Sequence, residues 1–277
     1  MRFEELPEVD PTEVRFSQWI VGMLEASRSY SQFLDNETAI QHGSGFETDN
    51  FRLPSFRVPD YASTQINVAL GCIEALEMMI TRENDVSVEV RISPYGQFAL
   101  IRNALDAAVT CLWMLDPVSN TGRLKRRLLL EVDETYKAAA MKASQGQPVA
   151  EWKKQKRARI REVANQAGLT AWNPLKADLD TTSKMLRSIE RHHVDPVMPW
   201  LAWWQLASGH AHGKSWATLA SHDREEIDGS RDGDSATYRV TANFGVLAGM
   251  LLETMKLIRC ALERYQMLAR TNGTIRQ

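Results

Sequence analysis

The sequence is poor in the features that mark several function classes. It holds three cysteines in 277 residues, Cys72, Cys111 and Cys260, far apart and each in an apolar stretch. No two stand in Cys-x-x-Cys spacing. That sets aside zinc ribbons and thioredoxin-like redox chemistry, and the odd number reads as buried free thiols in a reducing compartment. Long apolar runs are also missing. The longest uninterrupted one lies near Phe244 to Leu252, far short of the roughly 20 residues that span a bilayer, so no membrane span is expected. Positive charge is not in excess: 33 Lys and Arg face 35 Asp and Glu, for a net charge of −2. A dedicated nucleic-acid coat is therefore disfavoured, and only a local basic patch remains open. The opening residues Met1-Arg-Phe-Glu-Glu-Leu-Pro7 are acidic and lack an apolar centre. They do not read as a secretory signal, and the cytoplasm is the expected location. No repeat or low-complexity tract stands out.

What is present reads as helix. The composition, 44% hydrophobic and 25% charged, is that of a globular chain long enough for a sizeable core. A first helix is expected after Asp10-Pro11-Thr12, where a polar cap precedes proline at the first helical position. Residues 42–60 hold Gly, Pro, Asn and Asp with scattered Phe, and read as a long ordered loop or arm. Helical periodicity resumes at Tyr61 through Ile66, Leu70, Ile73, Leu76 and Ile80. The alternation from Val86 to Ile92 suggests a short strand. The most apolar helix is expected over Tyr95–Leu115, between Ser93-Pro94 and Asp116-Pro117. Further helices are expected over about 120–143, 149–166, 174–191, 200–221 and 237–270, with an acidic loop over 223–235. About eight helices and essentially no sheet define an all-α class. The expected organisation is an N-terminal helix and extended arm over 1–60, then a multi-helix bundle over 61–277.

Five constellations are able to carry chemistry. Arg102 and Asp106 stand four apart on the apolar helix and share a face, so they form either a salt bridge tying two helices or part of a functional cleft. Arg123, Lys125, Arg126 and Arg127 crowd the first turns of a helix, where cations oppose the macrodipole by roughly 0.3–1 kcal/mol each. A compensating carboxylate, with Asp106 a candidate, or an anionic ligand is expected. Ser208-Gly-His-Ala-His-Gly-Lys-Ser-Trp holds two histidines that diverge if the stretch is helical, which disfavours a shared metal. Ser208 and His212, four apart, would share a face, and His212 could serve as acid or base. Lys153, Lys154, Lys156, Arg157, Arg159 and Arg161 form a basic run whose cations lie all round the expected helix, either solvated or a nucleic-acid contact. Its continuation resembles the first half of a helix-turn-helix, but Trp172-Asn-Pro174 falls where a recognition helix should begin. Arg187 to His192 and His193 fits a loose Arg-to-His pattern of metal-independent ribonucleases, where His moves a proton and Arg stabilises the charged phosphorane. None of these groups calls for a metal or cofactor.

Tyr95-Gly-Gln-Phe-Ala-Leu-Ile-Arg-Asn-Ala-Leu-Asp-Ala-Ala, Trp113-Met-Leu-Asp-Pro, Arg123-Leu-Lys-Arg-Arg-Leu and Trp204-Gln-Leu-Ala-Ser-Gly-His-Ala-His-Gly-Lys-Ser-Trp-Ala together resemble a loose group of helical bacterial and phage-borne proteins. The layout is similar to abortive-infection and HEPN-like families over about 61–270. Residue by residue, the resemblance points to Arg102, Asp106, Arg126, Ser208 and His212. It implies metal-independent RNA cleavage in phage defence or a mobile element. His212 would be the acid or base, Arg102 and Arg126 would bind phosphate with Arg123 and Ser208 as further ligand contacts, and Asp106 would orient an arginine. Two other readings stay open. One is a non-enzymatic interaction protein, with Pro199-Trp-Leu-Ala-Trp-Trp as a homo-oligomer face. The other is a DNA-binding regulator using Lys153, Lys154, Lys156, Arg157 and Arg161.

Overall fold

A computed structural model describes residues 11–37, 39–83, 88–193 and 198–271. Expectations placed on residues 1–10, on Val86 and Ser87, and on Asp195 and Pro196 lie outside the described residues. Among the described residues there are ten α-helices, one short 3-10 turn and two two-stranded antiparallel sheets. The class is all-α, as the periodicity requires.

In chain order the elements are α1 (Pro11–Glu37), α2 (Gly45–Arg52), α3 (Val58–Ile80), β1 (Thr81–Glu83), β2 (Val88–Val90), α4 (Gly96–Leu115), α5 (Asn120–Ser144) and α6 (Ala150–Gln166). The 3-10 turn Pro174–Lys176 follows, then α7 (Thr182–Glu190), α8 (Trp200–Ala211), α9 (Ser215–Ser221), β3 (His222–Glu226), β4 (Tyr238–Ala242) and α10 (Phe244–Ala269). The chain packs as two compact units. The first comprises Met1–Gln32, Val68–Asp106 and Asp195–Ile258; the second comprises Phe33–Asn67, Ala107–Val194 and Arg259–Gln277. Neither is one contiguous segment. The boundary expected after residue 60 falls inside α3.

In the first unit the apolar stripes of α1 (Ile20, Leu24), α3 (Ile73, Leu76), α4 (Phe98, Ile101, Leu105) and α10 (Leu247, Leu251, Ile258) are buried. In the second, the buried residues include Cys111, Leu112, Trp113 and Leu115 of α4, with Phe46, Leu124, Leu128, Leu186 and Leu262. Helix α4 alone among the described residues is long and apolar enough to cross a membrane by length and composition, and 67% of its most apolar window is buried inside the protein.

Five local expectations are corrected. The helix expected over 174–191 is the 3-10 turn Pro174–Lys176 followed, after a break, by α7 from Thr182. Residues 42–60 are not all loop, because α2 forms there. Ser44 caps it by accepting from Glu47 N–H at 3.2 Å, and Glu47 reaches back to Gly43 N–H at 2.6 Å. The expected single helix over 200–221 breaks at His212, and Gly213, with φ +60, turns the chain from α8 into α9. The acidic loop over 223–235 begins as a strand: β3 pairs with β4 in the register His222↔Ala242 to Glu226↔Tyr238. The last helix therefore starts at Phe244 rather than near residue 237, with Asn243 Oδ1 accepting from Val246 N–H at 3.1 Å. The strand expected near Val86–Ile92 is present as β2 over Val88–Val90, paired with β1.

Candidate functional site

The basic start of α5 lies in the second unit, and its arginines have internal partners. Arg123 donates from Nε to Asp49 Oδ2 at 2.7 Å and from Nη2 to Asp49 Oδ1 at 2.9 Å, with both side chains buried. Asp49 also accepts from Asn120, and Arg52 in turn donates to Asn120. The carboxylate expected to compensate these cations is thus Asp49 for Arg123, where the sequence suggested Asp106. The remaining donors turn to the C-terminus of α4, whose last carbonyls have no helical partner and carry partial negative charge. Arg123 Nη1 reaches Pro117 O at 3.1 Å and Val118 O at 3.0 Å. Arg126 donates to Trp113 O and lies over the Trp113 ring at 4.6 Å. Arg264, from α10, donates to Leu115 O at 2.9 Å and Asp116 O at 3.2 Å. Arg127 pairs with Glu131 at 2.8 Å and sits over Tyr61 at 4.4 Å.

The Arg-to-His pattern of α7 meets the same region. His192 Nδ1 is 2.9 Å from Asp116 Oδ2, and His193 Nε2 is 3.8 Å from Asp116 Oδ1. Side-chain bonds to Asp116 and Cys260 raise the His193 pKa to about 9. Burial pushes Asp116 up, but the two histidines outweigh it and hold the carboxyl below its usual range. Arg187 is exposed on α7.

In the first unit Arg102 and Asp106 do come together, at 3.5 Å and about one-quarter exposed. Trp204 Nε1–H donates to Asp106 Oδ1 at 2.7 Å, and Arg102 lies 5.9 Å from the Trp204 ring centre. Helix α8 thereby brings a tryptophan to the pair. The other tryptophans of that segment serve packing: Trp200 is buried, and the Trp203 ring lies where a Cβ on Gly249 would come within 3.1 Å. Ser208 and His212 are joined only through the backbone, His212 N–H donating to Ser208 O at 3.1 Å, and the His212 side chain is exposed on the turn. Of the expected catalytic residues, Arg102, Asp106 and His212 belong to the first unit and Arg126 to the second.

Of the two histidines in that stretch, the buried one is His210, which the sequence reading did not select. His210 closes α8, and its Nε2 is 2.8 Å from Ser221 Oγ. Ser221 Oγ is 3.0 Å from His222 Nδ1 and 2.8 Å from Ala217 O, which it is placed to donate to. His222 Nε2 is 2.7 Å from Pro94 O. The rings of Phe98 and His210 stack at 4.1 Å, and those of His210 and His222 at 4.7 Å. Burial, with the neighbouring His222, lowers the His210 pKa to about 4 and keeps the ring neutral near pH 7. The signal available was Gly209: a Cβ there would meet the Trp216 ring at 2.6 Å and Ala217 at 2.7 Å. That close approach folds α9 onto α8 and encloses the histidine preceding the turn. Among the described residues no group of three or more His, Cys, Asp or Glu is placed to hold a metal.

The basic run lies on α6 in the second unit. At about 100° per residue, Lys153, Lys154, Arg157 and Arg161 fall within an arc of about 100°. Ile160, Val163 and Ala164 are buried, with Ala164 between Lys153 and Arg157 on the wheel, so the arc is a flank beside the buried side, and Lys156 and Arg159 lie outside it. Arg157 and Arg161 are exposed with no ion-pair partner among the described residues, whereas Arg159 pairs with Glu162 at 3.1 Å. Lys153 covers the Tyr136 ring at 4.3 Å, and Lys156 and Lys142 lie over Trp152. No family model, curated protein or solved structure matches the chain.

Proposed function

We propose that this protein is a helical nucleic-acid-interaction protein that binds the phosphate backbone through the cationic flank of α6. The observation that carries the reading is the cationic stripe Lys153, Lys154, Arg157 and Arg161 along one flank of α6, on a chain whose net charge is −2. Helix α6 holds six cations against two carboxylates. Lys154 lies 3.8 Å from Glu151 and Lys153 is half-buried over Tyr136, while Arg157 and Arg161 are exposed without an ion-pair partner among the described residues; exposed cations neutralise phosphates by counterion release. The arginines of α5, by contrast, have backbone and carboxylate partners, so the reading assigns Arg123 and Arg126 to the framework. The ribonuclease reading would need Arg102, Asp106 and His212 at one phosphate, and it rests on the half-buried Arg102–Asp106 pair.

One experiment separates the two. Fluorescence anisotropy with labelled single-stranded RNA, and with duplex DNA beside it, is followed from about 50 to 200 mM salt. Four phosphate contacts give a log–log slope of about −3 on a single strand. Neutralising Lys153, Lys154, Arg157 and Arg161 to Gln should abolish binding. Binding unchanged in that variant overturns the proposal. RNA cleavage in chelator that disappears in Arg102→Ala, His212→Ala would favour catalysis instead.

A further inference from the structure

The buried His210 borders a recess of about 560 Å3 on the first unit, lined by Tyr95, His210, Ala211, Ser215, Thr218 and Leu219, with Gly213 at the turn. None of these side chains is charged, so an ionic ligand would find no counter-charge in the lining. The hydroxyls of Tyr95, Ser215 and Thr218 offer polar contacts, and Ala211 and Leu219 offer apolar ones. The feature that asks for a ligand is His210 itself. It is 3% exposed, and its Nδ1 is buried with no hydrogen-bond partner among the described residues. A buried polar atom left without a partner is destabilising by roughly the desolvation free energy of that atom, and native proteins rarely leave one so.

The hydrogen-bond chain fixes what the missing partner must be. Pro94 O only accepts, so His222 Nε2 carries a hydrogen. Ser221 Oγ has one hydrogen, placed for Ala217 O or for His222 Nδ1. Ser221 Oγ then has only lone pairs to present to His210 Nε2, which must donate. The His210 Nδ1 is left as a bare acceptor.

We propose that this recess is a binding site for a small, neutral, planar aromatic molecule carrying one N–H or O–H donor, which bonds to His210 Nδ1 beside Tyr95. The rings of Phe98, His210 and His222 stack on one another and hold the His210 ring in place. This site is independent of the α6 face, and either assignment can fail alone.

The probes are indole and its donor-less analogue 1-methylindole, titrated into the full chain labelled with 15N-histidine. Indole should saturate in the millimolar range or tighter and shift the His210 Nδ1 resonance while leaving the Pro94-bound His222 Nε2 in place. The methyl analogue should bind at least tenfold more weakly. His210→Phe, which keeps the stack and removes the acceptor, should erase that difference. Because His210→Phe also alters the buried network, Ala211→Phe provides a second variant. Ala211 is exposed and lines the recess, so a larger side chain there is placed to fill it. It should abolish indole binding with the wild-type His210 resonances retained in the free protein. Equal binding of the two indoles, no binding of either, or unchanged binding to Ala211→Phe would each overturn the proposal.

Discussion

Arg123 grips Asp49 through two parallel hydrogen bonds, 2.7 and 2.9 Å long, across 74 residues of sequence, with both side chains shielded from water. Removing one partner of such a pair strands a buried charge and destabilises by about 3–5 kcal/mol. Arg123→Ala and Asp49→Ala should each lower the Tm by roughly 10 °C, and the double variant by less than the sum. Calorimetry of the three variants tests this. A wild-type Tm in Arg123→Ala would free that arginine for a ligand.

The Arg102–Asp106–Trp204 cluster is more open, and its effect on stability should be smaller. An ion pair about one-quarter exposed contributes at most about 1 kcal/mol. The Trp204 bond to a carboxylate contributes about 1.5–3 kcal/mol. Trp204→Phe is therefore expected to be more destabilising than Arg102→Ala, as read by urea midpoints. The reverse order would mark Arg102 as the main tie of this cluster.

Acid should loosen the first unit through His210. Its folded pKa, about 4, lies below the unfolded value near 6.5. The unfolded chain takes up the proton first, so stability falls as pH drops from about 6.5 towards 4 and no penalty remains above. His210→Phe should flatten the Tm profile over that window, whatever it does to the absolute Tm. A profile as steep as wild type would place the acid sensitivity elsewhere.

Alkali should loosen the second unit through His193. Its folded pKa, about 9, is raised by Asp116 and Cys260. Its contribution is complete below about 6.5 and disappears as pH climbs through 9. Asp116, held below its usual range, keeps its charge throughout that interval. His193→Gln should remove a decline of a few degrees in Tm between about pH 6.5 and 9.

Two glycines should respond oppositely to alanine. At Gly209 the new methyl meets Trp216 at 2.6 Å and Ala217 at 2.7 Å, so Gly209→Ala should be destabilising by about 1–3 kcal/mol. At Gly71, inside α3, nothing lies within 4 Å, and Gly71→Ala should stabilise by about 0.5–1 kcal/mol. Chemical denaturation of both variants decides the pair.

Much of the helical order was legible because proline and caps bracket the apolar stripes. Helix α4, expected over Tyr95–Leu115, runs Gly96–Leu115, and α5 and α6 differ from expectation by a residue at each end or less. Helix α2 was lost because eight residues give little more than two turns of periodicity, although Ser44 and Glu47 spell a capping box. Strand β3, His-Asp-Arg-Glu-Glu, is too charged to alternate. Strand β4 was merged with α10 because Val240 and Phe244 happen to stand four apart. The Arg102–Asp106 pair could be read from spacing alone. The partner of Arg123 could not, since nothing local links residue 49 to residue 123. The choice of His212 over His210 followed from treating α8 and α9 as one helix, which hid the turn that buries the earlier ring.

The arginines at the end of α4 bear on the order in which the chain is made. Arg123 and Arg126 follow α4 almost at once, but Arg264 is 149 residues beyond the Leu115 carbonyl it holds. During synthesis that helix end waits for its third cation until α10 has emerged. The second unit can close only late, after the whole intervening chain is out. Truncation before Arg264 should therefore release protein that proteases recognise as unfinished.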